Sequence, residues 1–261
     1  KYAAILNLSP DHIERHKTLQ SYIDAKFKLL KNQTKENFAF VKKDDHLIDK
    51  KLKLSKYNCK IIKVSTKNID NYLKHINNAY FLTETNKENL SFILEISKKL
   101  QLKKNLLIET IKNFKGLKYR QQIIYKSKYL TVINDSKSTS FSSSIGLLKV
   151  NTNIYWLLGG LYKKGDKFNL SKKYFDNISA FIYGKNKKFF KEELEGKIIY
   201  KKFDFLEDAL KKILTLINKN KLVHQTILFS PCAASFDNFK NFEDRGYYFD
   251  QILKKYTNEK R

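Results

Sequence analysis

Short apolar runs alternate with helical patterns in the second half of the chain, and this alternation limits the possible fold more than any other feature. Runs of strand length lie at 154–158, 180–183, 198–200 and 226–229, and helical patterns lie at 205–217 and 247–256. Strands that alternate with helices form parallel sheets with right-handed helical crossovers. We therefore predict an α/β fold with a mostly parallel sheet for this half.

Three polar segments each begin directly after a predicted strand. They are residues 134–139, 159–166 and 230–242. Ligands bind beyond the carboxyl ends of the strands in open parallel sheets. We therefore expect the three segments to line one edge of the sheet, although they are far apart in sequence.

Two of these segments are ambiguous when each is taken alone. Residues 134–139 suit an anionic group at a helix start near Ser138, but an ordinary helix N-cap explains them equally well. Gly159 and Gly160, with Lys163 shortly after them, form a glycine turn behind a buried strand. This turn lacks the spacing of a phosphate-binding loop, so it is a weak motif by itself.

The third segment is the most distinctive, because a proline and small residues precede a regular series of aromatic residues. Phe236, Phe239 and Phe242 are three residues apart. Such spacing predicts a helix that packs an aromatic face against the sheet.

The first half of the chain predicts a separate unit. Helical patterns lie at 19–32, 88–100 and 104–114, and strand candidates lie at 37–41 and 59–64. Gly116 ends the last helical pattern, and two strand candidates at 123–125 and 130–133 follow it. We therefore predict two domains, 1–115 and 116–261.

The formal charge of +26 would suit a nucleic-acid-binding protein, but its distribution argues against that function. Only four of the 52 basic residues are arginine, the residue preferred for bidentate contacts to bases and phosphates.

No apolar stretch approaches the roughly 18 residues that span a bilayer. Cys59 and Cys232 are too few for a disulfide framework. We expect a soluble, cytoplasmic protein and, because the chain starts at Lys1 and contains no methionine, a fragment.

The polar segments resemble the C-terminal domain of Mur ligases. Residues 134–139 read N-D-S-K-S-T, residues 159–163 read G-G-L-Y-K, and residues 230–246 read S-P-C-A-A-S-F-D-N-F-K-N-F-E-D-R-G. The family motifs are N-D-S-K-x-T, G-G-x-x-K and S-P-x-x-[AC]-S-F-D-x-F-K-N-F-E-x-R-G, in the branch that adds D-glutamate. Residues 116–120, G-L-K-Y-R, are similar to the G-L-x-x-R at the start of that domain. The order Cys232-Ala233 reverses the small residues of the common P-A-C-A-S.

The front of the chain resembles the central domain of the same family. Residues 7–16 read N-L-S-P-D-H-I-E-R-H, similar to the loop N-[IL]-x-x-D-H-[LIM]-[DE]-R-H, and residues 22–26 match the Y-x-x-A-K that follows it. The similarity is poor between residues 32 and 78. It otherwise extends over nearly the whole chain.

Lys26 and His12 take a metal-binding role from this resemblance. In the family the lysine is carbamylated and works beside Mg²⁺, and the histidine is a ligand of a second magnesium ion. From the residues alone, Lys26 shares a helical stripe with Tyr22, Ile23 and Leu30, where a buried ammonium would be costly. A lone histidine in a loop is more often a surface residue.

The resemblance implies the remainder of a Mur ligase central α/β domain at 1–115 and a Rossmann-like α/β domain at 116–261. It implies an enzyme that uses ATP and Mg²⁺ to join D-glutamate to UDP-N-acetylmuramoyl-L-alanine through an acyl phosphate, in the synthesis of peptidoglycan precursors. We expect a monomer that binds neither nucleic acid nor a membrane. The positions that match family site residues are His12 and Lys26 for catalysis and metal, Asn89, Arg120 and Asp135 for ATP, and Lys137, Thr139, Lys163, Ser235 and Phe242 for D-glutamate.

Two other functions stay open. One is another amide ligase of the same superfamily, acting on a different amino acid or on folate, and the N-D-S-K segment argues against it. The other is a basic α/β domain that binds RNA, against which the scarcity of arginine argues. The G-K-T phosphate loop, the upstream metal-binding glutamate and the uridine-nucleotide domain of the family do not occur in the 261 residues. We therefore expect no ligation by this chain alone.

Overall fold

The chain divides into two compact units, 1–114 and 115–261, one residue before the predicted domain boundary. The structure is a computed structural model, and it describes residues 1–8, 13–67, 69–219 and 223–258. Each unit has its own sheet and its own hydrophobic core. Within the described residues, no helix combines the length and the apolar character needed to pass through a bilayer.

The first unit contains a parallel sheet in the order β1-β2-β3, covered by helices. A 3₁₀ turn at Ala79–Leu82 precedes its longest helix. The elements are β1 (Tyr2–Ile5), α1 (Ile13–His16), α2 (Leu19–Lys31), β2 (Phe38–Lys42), α3 (His46–Leu54), β3 (Lys60–Val64), α4 (Ile69–Leu73), α5 (Glu84–Lys99) and α6 (Lys104–Asn113).

Local sequence signals start the helices of this unit. The Thr18 side chain accepts a hydrogen bond from the Ser21 amide at 3.0 Å, at the beginning of α2. The Asp45 carboxylate likewise accepts from the amides of Leu47 and Ile48, at 3.0 and 3.1 Å, at the beginning of α3. Such caps satisfy backbone donors that have no partner within the helix. The apolar stripe of α2 then enters the core, and it comprises Tyr22, Ile23, Phe27 and Leu30.

The second unit contains a six-stranded sheet in the order β4-β5-β9-β6-β7-β8. β4 is antiparallel to β5, and each of the other pairs of neighbours is parallel. The elements are β4 (Gln122–Lys126), β5 (Leu130–Asn134), α7 (Phe141–Val150), β6 (Ile154–Gly159), β7 (Ile178–Tyr183), α8 (Lys187–Leu194), β8 (Ile199–Phe203), α9 (Leu206–Lys219), β9 (Gln225–Phe229) and α10 (Phe242–Asn258). The predicted α/β class with a mostly parallel sheet is confirmed.

This sheet is buried on both faces, which explains why its central strands are continuous apolar runs. Side chains alternate along a strand. Trp156 and Leu158 of β6 therefore face one core, which Leu148 of α7 and Phe190 of α8 complete. Leu157 faces the opposite core, beneath α9 and α10.

Several predicted boundaries were wrong. α5 begins at Glu84 rather than at residue 88, because Thr83 caps it and accepts from the Asn86 amide at 3.4 Å. α7 begins at Phe141 rather than near Ser138. Five of the helices and strands named above lie outside the predictions, namely β1, α1, α3, α4 and α8.

The predicted aromatic helix is also wrong. Phe236 and Phe239 lie in turns before α10, and Phe236 is 72% exposed. α10 starts at Phe242, where the Asn241 side chain accepts from the Asp244 amide at 2.8 Å. The helix begins five residues before the predicted start, because an asparagine cap decides its beginning.

Candidate functional site

Three loops meet at the carboxyl edge of the second unit's sheet. They are residues 134–139 after β5, 159–166 after β6 and 230–242 after β9, and these three strands are neighbours. The Asp135 amide donates to the Phe229 carbonyl at 2.7 Å, and the Gly159 amide donates to the Pro231 carbonyl at 3.0 Å. Leu161 and Ala234 exchange two backbone hydrogen bonds, at 3.0 and 2.9 Å. The expected convergence of the three segments is therefore present.

Arg245 of α10 connects two of these loops through hydrogen bonds from its guanidinium group. Its Nη2 donates to the carbonyls of Ser136 and Ala233, at 2.7 and 2.9 Å, and its Nε donates to the Ser136 hydroxyl at 3.1 Å. The side chain is 1% exposed, and this burial lowers the pKa of the guanidinium. A rigid fork of donors suits this position because it satisfies two backbone carbonyls at once.

The glycine turn allows the third loop to approach this connection closely. Gly160 has a φ of +125°, and a Cβ at this position would lie 2.7 Å from the Ala234 carbonyl oxygen and 3.0 Å from Arg245 Nη1. A side chain here would therefore push the loops apart. Glycine is required because the backbones themselves are in contact.

The residues predicted to bind D-glutamate lie on these loops. Lys137 is half-buried, with its Nζ 3.9 Å from the centroid of the Phe242 ring and its amide bonded to the Tyr119 carbonyl at 2.9 Å. Ser235 is buried, whereas Thr139 and Lys163 are exposed. The edge thus offers cations and hydroxyl groups, the donors that carboxylates prefer.

A further contact relates the Thr139 segment to the Lys163 loop. The Phe141 amide, two residues after Thr139, donates to Asp166 Oδ2 at 2.7 Å. The Asp166 amide in turn donates to the Lys163 carbonyl at 3.1 Å. Burial raises the pKa of Asp166, while the Phe141 amide and the charge of Lys163 oppose that rise. The start of α7 and the glycine loop are therefore held together.

The residues predicted to contact ATP differ in their exposure and in the unit to which they belong. Asp135 is 5% exposed, and its carboxylate accepts from the Ser230 hydroxyl at 2.7 Å and from the Gln121 amide at 3.0 Å. Burial raises the pKa of Asp135 to about 7. Arg120 is exposed, and Asn89 is half-buried on α5 of the first unit. Asp135 thus presents little of its surface to a ligand.

The prediction that Lys26 lies on the buried stripe of α2 is wrong. Lys26 is exposed, whereas Tyr22, Ile23 and Leu30 are buried. The lysine lies at the border of the stripe, and its Nζ reaches outward to 5.3 Å from the centroid of the Tyr22 ring. A long aliphatic stem allows this, because it covers apolar surface while the ammonium stays in water.

His12, the other predicted magnesium ligand, lies outside the described residues. Within the described ranges, no group of three or more His, Cys, Asp or Glu side chains could hold a metal ion.

Sequence reasoning missed a buried network of hydroxyl groups behind the loops. Ser144 of α7 contacts Ser230 at 2.5 Å, Ser138 at 2.8 Å and the Cys232 sulfur at 2.9 Å. The available signal was the serine-rich stretch 138–144, in which five of seven residues are serine. Such a stretch is more typical of a solvated helix start than of a core, so the burial of Ser138 and Ser144 was not predictable from the sequence.

Comparisons with known proteins agree with this architecture. Residues 1–110 match the model of the Mur ligase middle domain. The chain is 30% identical over 274 residues to a UDP-N-acetylmuramoylalanine–D-glutamate ligase of Rickettsia bellii, covering 97% of the chain and 60% of that protein. It is 34% identical over 254 residues to a protein of the same name from Francisella tularensis subsp. mediasiatica, covering 95% of the chain and 58% of that protein. The chain belongs to the Mur ligase family.

Solved structures share the fold of this Mur ligase chain. MurF from Acinetobacter baumannii matches with a TM-score of 0.68 at 15% identity, over 97% of this chain and 59% of that one. FolC from E. coli, in complex with DHPP and ADP, matches with a TM-score of 0.61 at 13% identity, over 97% and 62%. The chain spans about 60% of the length of the curated relatives.

Proposed function

We propose that this chain forms the part of UDP-N-acetylmuramoyl-L-alanine:D-glutamate ligase that binds D-glutamate. The observation that carries the proposal is the convergence of three loops at one edge of the second unit's sheet, because these loops carry Lys137, Thr139, Lys163, Ser235 and Phe242. D-Glutamate carries two carboxylates and one amine. Its recognition needs several fixed donors around a small space.

Lys137 is the best-positioned cation of this edge. Its contact with Phe242 fixes the direction of the ammonium, and the hydrogen bond from its amide to Tyr119 fixes its backbone. We assign Lys137 to one carboxylate of D-glutamate and Lys163, with Thr139 and Ser235, to the other. Two anchored carboxylates would orient the amine toward its electrophile, and such orientation is a large part of catalysis in a two-substrate reaction.

In the proposed reaction of the full-length enzyme, ATP supplies the phosphoryl group that converts the carboxylate of UDP-N-acetylmuramoyl-L-alanine into an acyl phosphate. The amine of D-glutamate then attacks the acyl carbon, and phosphate leaves. We propose Asn89, Arg120 and Asp135 on the nucleotide side. His12 and Lys26, the latter as a carbamate, remain our proposed magnesium ligands. We expect the 261-residue chain alone to form no amide product. Measurable ligation by this chain would contradict the proposal that the complete reaction needs the full-length enzyme.

Binding of amino acids to the chain itself tests the proposal. Ligand-observed NMR with D-glutamate, L-glutamate and D-aspartate should show binding of D-glutamate in preference to the other two. Lys163→Ala should abolish the D-glutamate signal. Lys149→Ala, which removes an exposed lysine of α7 away from the three loops, is the matched control and should preserve it. Equal binding of L-glutamate would instead favour a ligase for another amino acid.

Kinetics of the full-length ligase provide a second readout. Lys163→Ala should raise the KM for D-glutamate far more than the KM for ATP, since the side chain is assigned to the amino acid alone. Equal increases would show that the assignment is wrong. A nucleic-acid titration at several salt concentrations tests the RNA-binding alternative, because real phosphate contacts give a steep salt dependence.

A further inference from the structure

A continuous row of hydroxyl groups passes beneath the three loops. It consists of contacts from Ser143 to Ser138 at 2.7 Å, from Ser138 to Ser144 at 2.8 Å, from Ser144 to Ser230 at 2.5 Å and from Ser230 to Asp135 Oδ2 at 2.7 Å. We call this row the hydroxyl relay. It joins the first turn of α7 to a carboxylate behind β5 and β9, through residues that are up to 95 positions apart in sequence.

The inner part of the hydroxyl relay is closed to solvent. Ser144 and Ser230 are fully buried, and Ser138 is 2% exposed. Buried hydroxyl groups need hydrogen-bond partners, and here they mainly use one another. Ser230 donates to the Asp135 carboxylate, so Ser144 can donate to Ser230 and Ser138 to Ser144. The three buried hydroxyls can therefore point their protons toward Asp135 at the same time. Ser143 also donates to the Ser140 carbonyl at 2.6 Å, and it joins the row when its hydroxyl turns toward Ser138.

The outer end of the hydroxyl relay lies beside the proposed D-glutamate residues. Ser143 is exposed on the first turn of α7. Ser138, the next member, stands between Lys137 and Thr139 in the chain, so the relay passes through the loop assigned to the substrate. A proton released by a substrate at this edge would have a path inward that does not cross solvent.

We propose that the hydroxyl relay carries a proton from the attacking amine of D-glutamate to Asp135. This inference rests on the proposed function. D-Glutamate arrives with its amine protonated, and this ammonium gives one proton to Ser143. Each hydroxyl passes its own proton to the next oxygen, and the Asp135 carboxylate becomes a carboxylic acid. The freed nitrogen lone pair then forms the new C–N bond, the C–O bond to phosphate breaks with its electron pair on the phosphate oxygen, and the departing phosphate takes the second proton of the nitrogen.

The surroundings of Asp135 suit a proton acceptor. The positive charges of Arg120, before β4, and Arg245, on α10, favour its ionised form, as do the Ser230 and Gln121 donors, whereas burial opposes it. The resulting pKa of about 7 lies near neutrality, where an acid–base group is most effective. Cys232 borders the relay, but burial raises the pKa of its thiol, so it remains a neutral side branch.

Ser144→Ala in the full-length ligase interrupts the hydroxyl relay with the loss of a single oxygen. We expect the rate of amide formation with D-glutamate to fall about 100-fold, the usual effect of losing an acid–base group. Hydroxylamine, whose amine is already unprotonated and weakly basic at neutral pH, should trap the acyl phosphate at the wild-type rate within twofold. Ser142→Ala is the matched control on the same helical turn, because its hydroxyl contacts Ser140 outside the relay.

A second interruption separates a relay from a structural role. Ser138→Ala should slow amide formation as much as Ser144→Ala, and the double variant should be no slower than either single one, because a path can be cut only once. The acidic limb of the pH–rate profile, set by Asp135 in the wild type, should disappear in all three. Equal loss of the hydroxylamine reaction, additive effects or an unchanged pH profile would overturn the relay. A wild-type ligase that forms no amide with D-glutamate would overturn the proposed function and the relay with it.

Discussion

Buried polar side chains serve local purposes in the first unit and long-range purposes in the second. Those of the first unit lie on or just before α5, where Ser91 donates to the Lys87 carbonyl at 3.0 Å and Asn86 donates to the Tyr80 carbonyl at 2.7 Å. These partners are four and six residues away. In the second unit, Arg245 reaches Ser136 across 109 residues. The first pattern stabilises a helix, and the second holds together loops that are distant in sequence.

This difference indicates where a binding edge needs its rigidity. Long-range polar contacts fix the relative positions of loops, and a hydrogen bond left unmade in such a place costs more than one at a helix end, because water does not replace it. The second unit should therefore depend strongly on a few buried groups. The first should tolerate the loss of any one of its local contacts.

The largest expected effect is that of Arg245→Ala on the stability of the second unit. The change removes three hydrogen bonds worth about 1 kcal/mol each and leaves a cavity that costs roughly 2 kcal/mol more, so we expect about 5 kcal/mol of destabilisation. The chain has a single tryptophan, Trp156, buried in this unit. Its fluorescence during urea unfolding measures the second unit alone.

Lys254→Ala, on the same helix but exposed, is the matched control and should change the unfolding free energy by less than about 0.5 kcal/mol. If Arg245→Ala changed the unfolding free energy as little as this control, the long-range contacts would contribute little to stability. The distinction between the two units would then be lost.

The next effect is a loss of stability of the second unit as the pH rises. Burial raises the pKa of Asp135 from 3.8 to about 7, so the folded state binds this proton more tightly than the unfolded state does. A raised folded pKa gives a contribution that is complete below the unfolded pKa and is lost as the pH rises through the folded pKa. Between pH 5 and pH 8 we expect the unfolding free energy from Trp156 fluorescence to fall by about 3 kcal/mol.

Asp135→Asn should remove most of this pH dependence. Burial also raises the pKa values of Asp166, Asp237 and Asp250, so a smaller slope of the same sign should remain. Asp176→Asn, which changes an exposed carboxylate of the same unit, should leave the slope as it is in the wild type. A stability that rises with pH would contradict the burial of an ionisable Asp135.

The same contrast explains how much of the fold the sequence predicts. Helix α2 was predicted at 19–32 and ends at Lys31, because a threonine cap and an apolar stripe are local signals. The convergence of the three loops was predicted from one rule about parallel strands. Strand β1 was missed since four residues are too few to show a pattern, and α8 was missed because its eight residues make only about two helical turns.

The inner part of the site was not predictable, because its partners are far apart in sequence. Ser144 and Ser230 are separated by 86 residues, and neither position alone indicates a buried hydroxyl. Arg245 had a signal, since arginine is scarce in this lysine-rich chain, but its bonds to two loops required the fold. The prediction that Lys26 is buried was wrong although it rested on a local pattern. A position on a helical stripe does not decide whether a long side chain turns outward.

The smallest expected effect is that of Asn78→Ala in the first unit. Its Nδ2 donates to the carbonyls of Ile111 and Phe114, at 2.8 and 2.9 Å, at the end of α6. Because these carbonyls lie partly in solvent, water should replace the lost donor, and we expect about 1 kcal/mol of local destabilisation. Hydrogen exchange of peptides that cover α6 measures it.

Asn77→Ala, at the exposed neighbouring position, is the matched control and should leave that exchange unaltered. The unfolding midpoint from Trp156 should stay the same in both variants, since the contact lies within the first unit. A shift of that midpoint by Asn78→Ala comparable to the one caused by Arg245→Ala would mean that the two units unfold together. Contacts within the first unit would then contribute to the stability of the second, and the contrast drawn between the two units would be wrong.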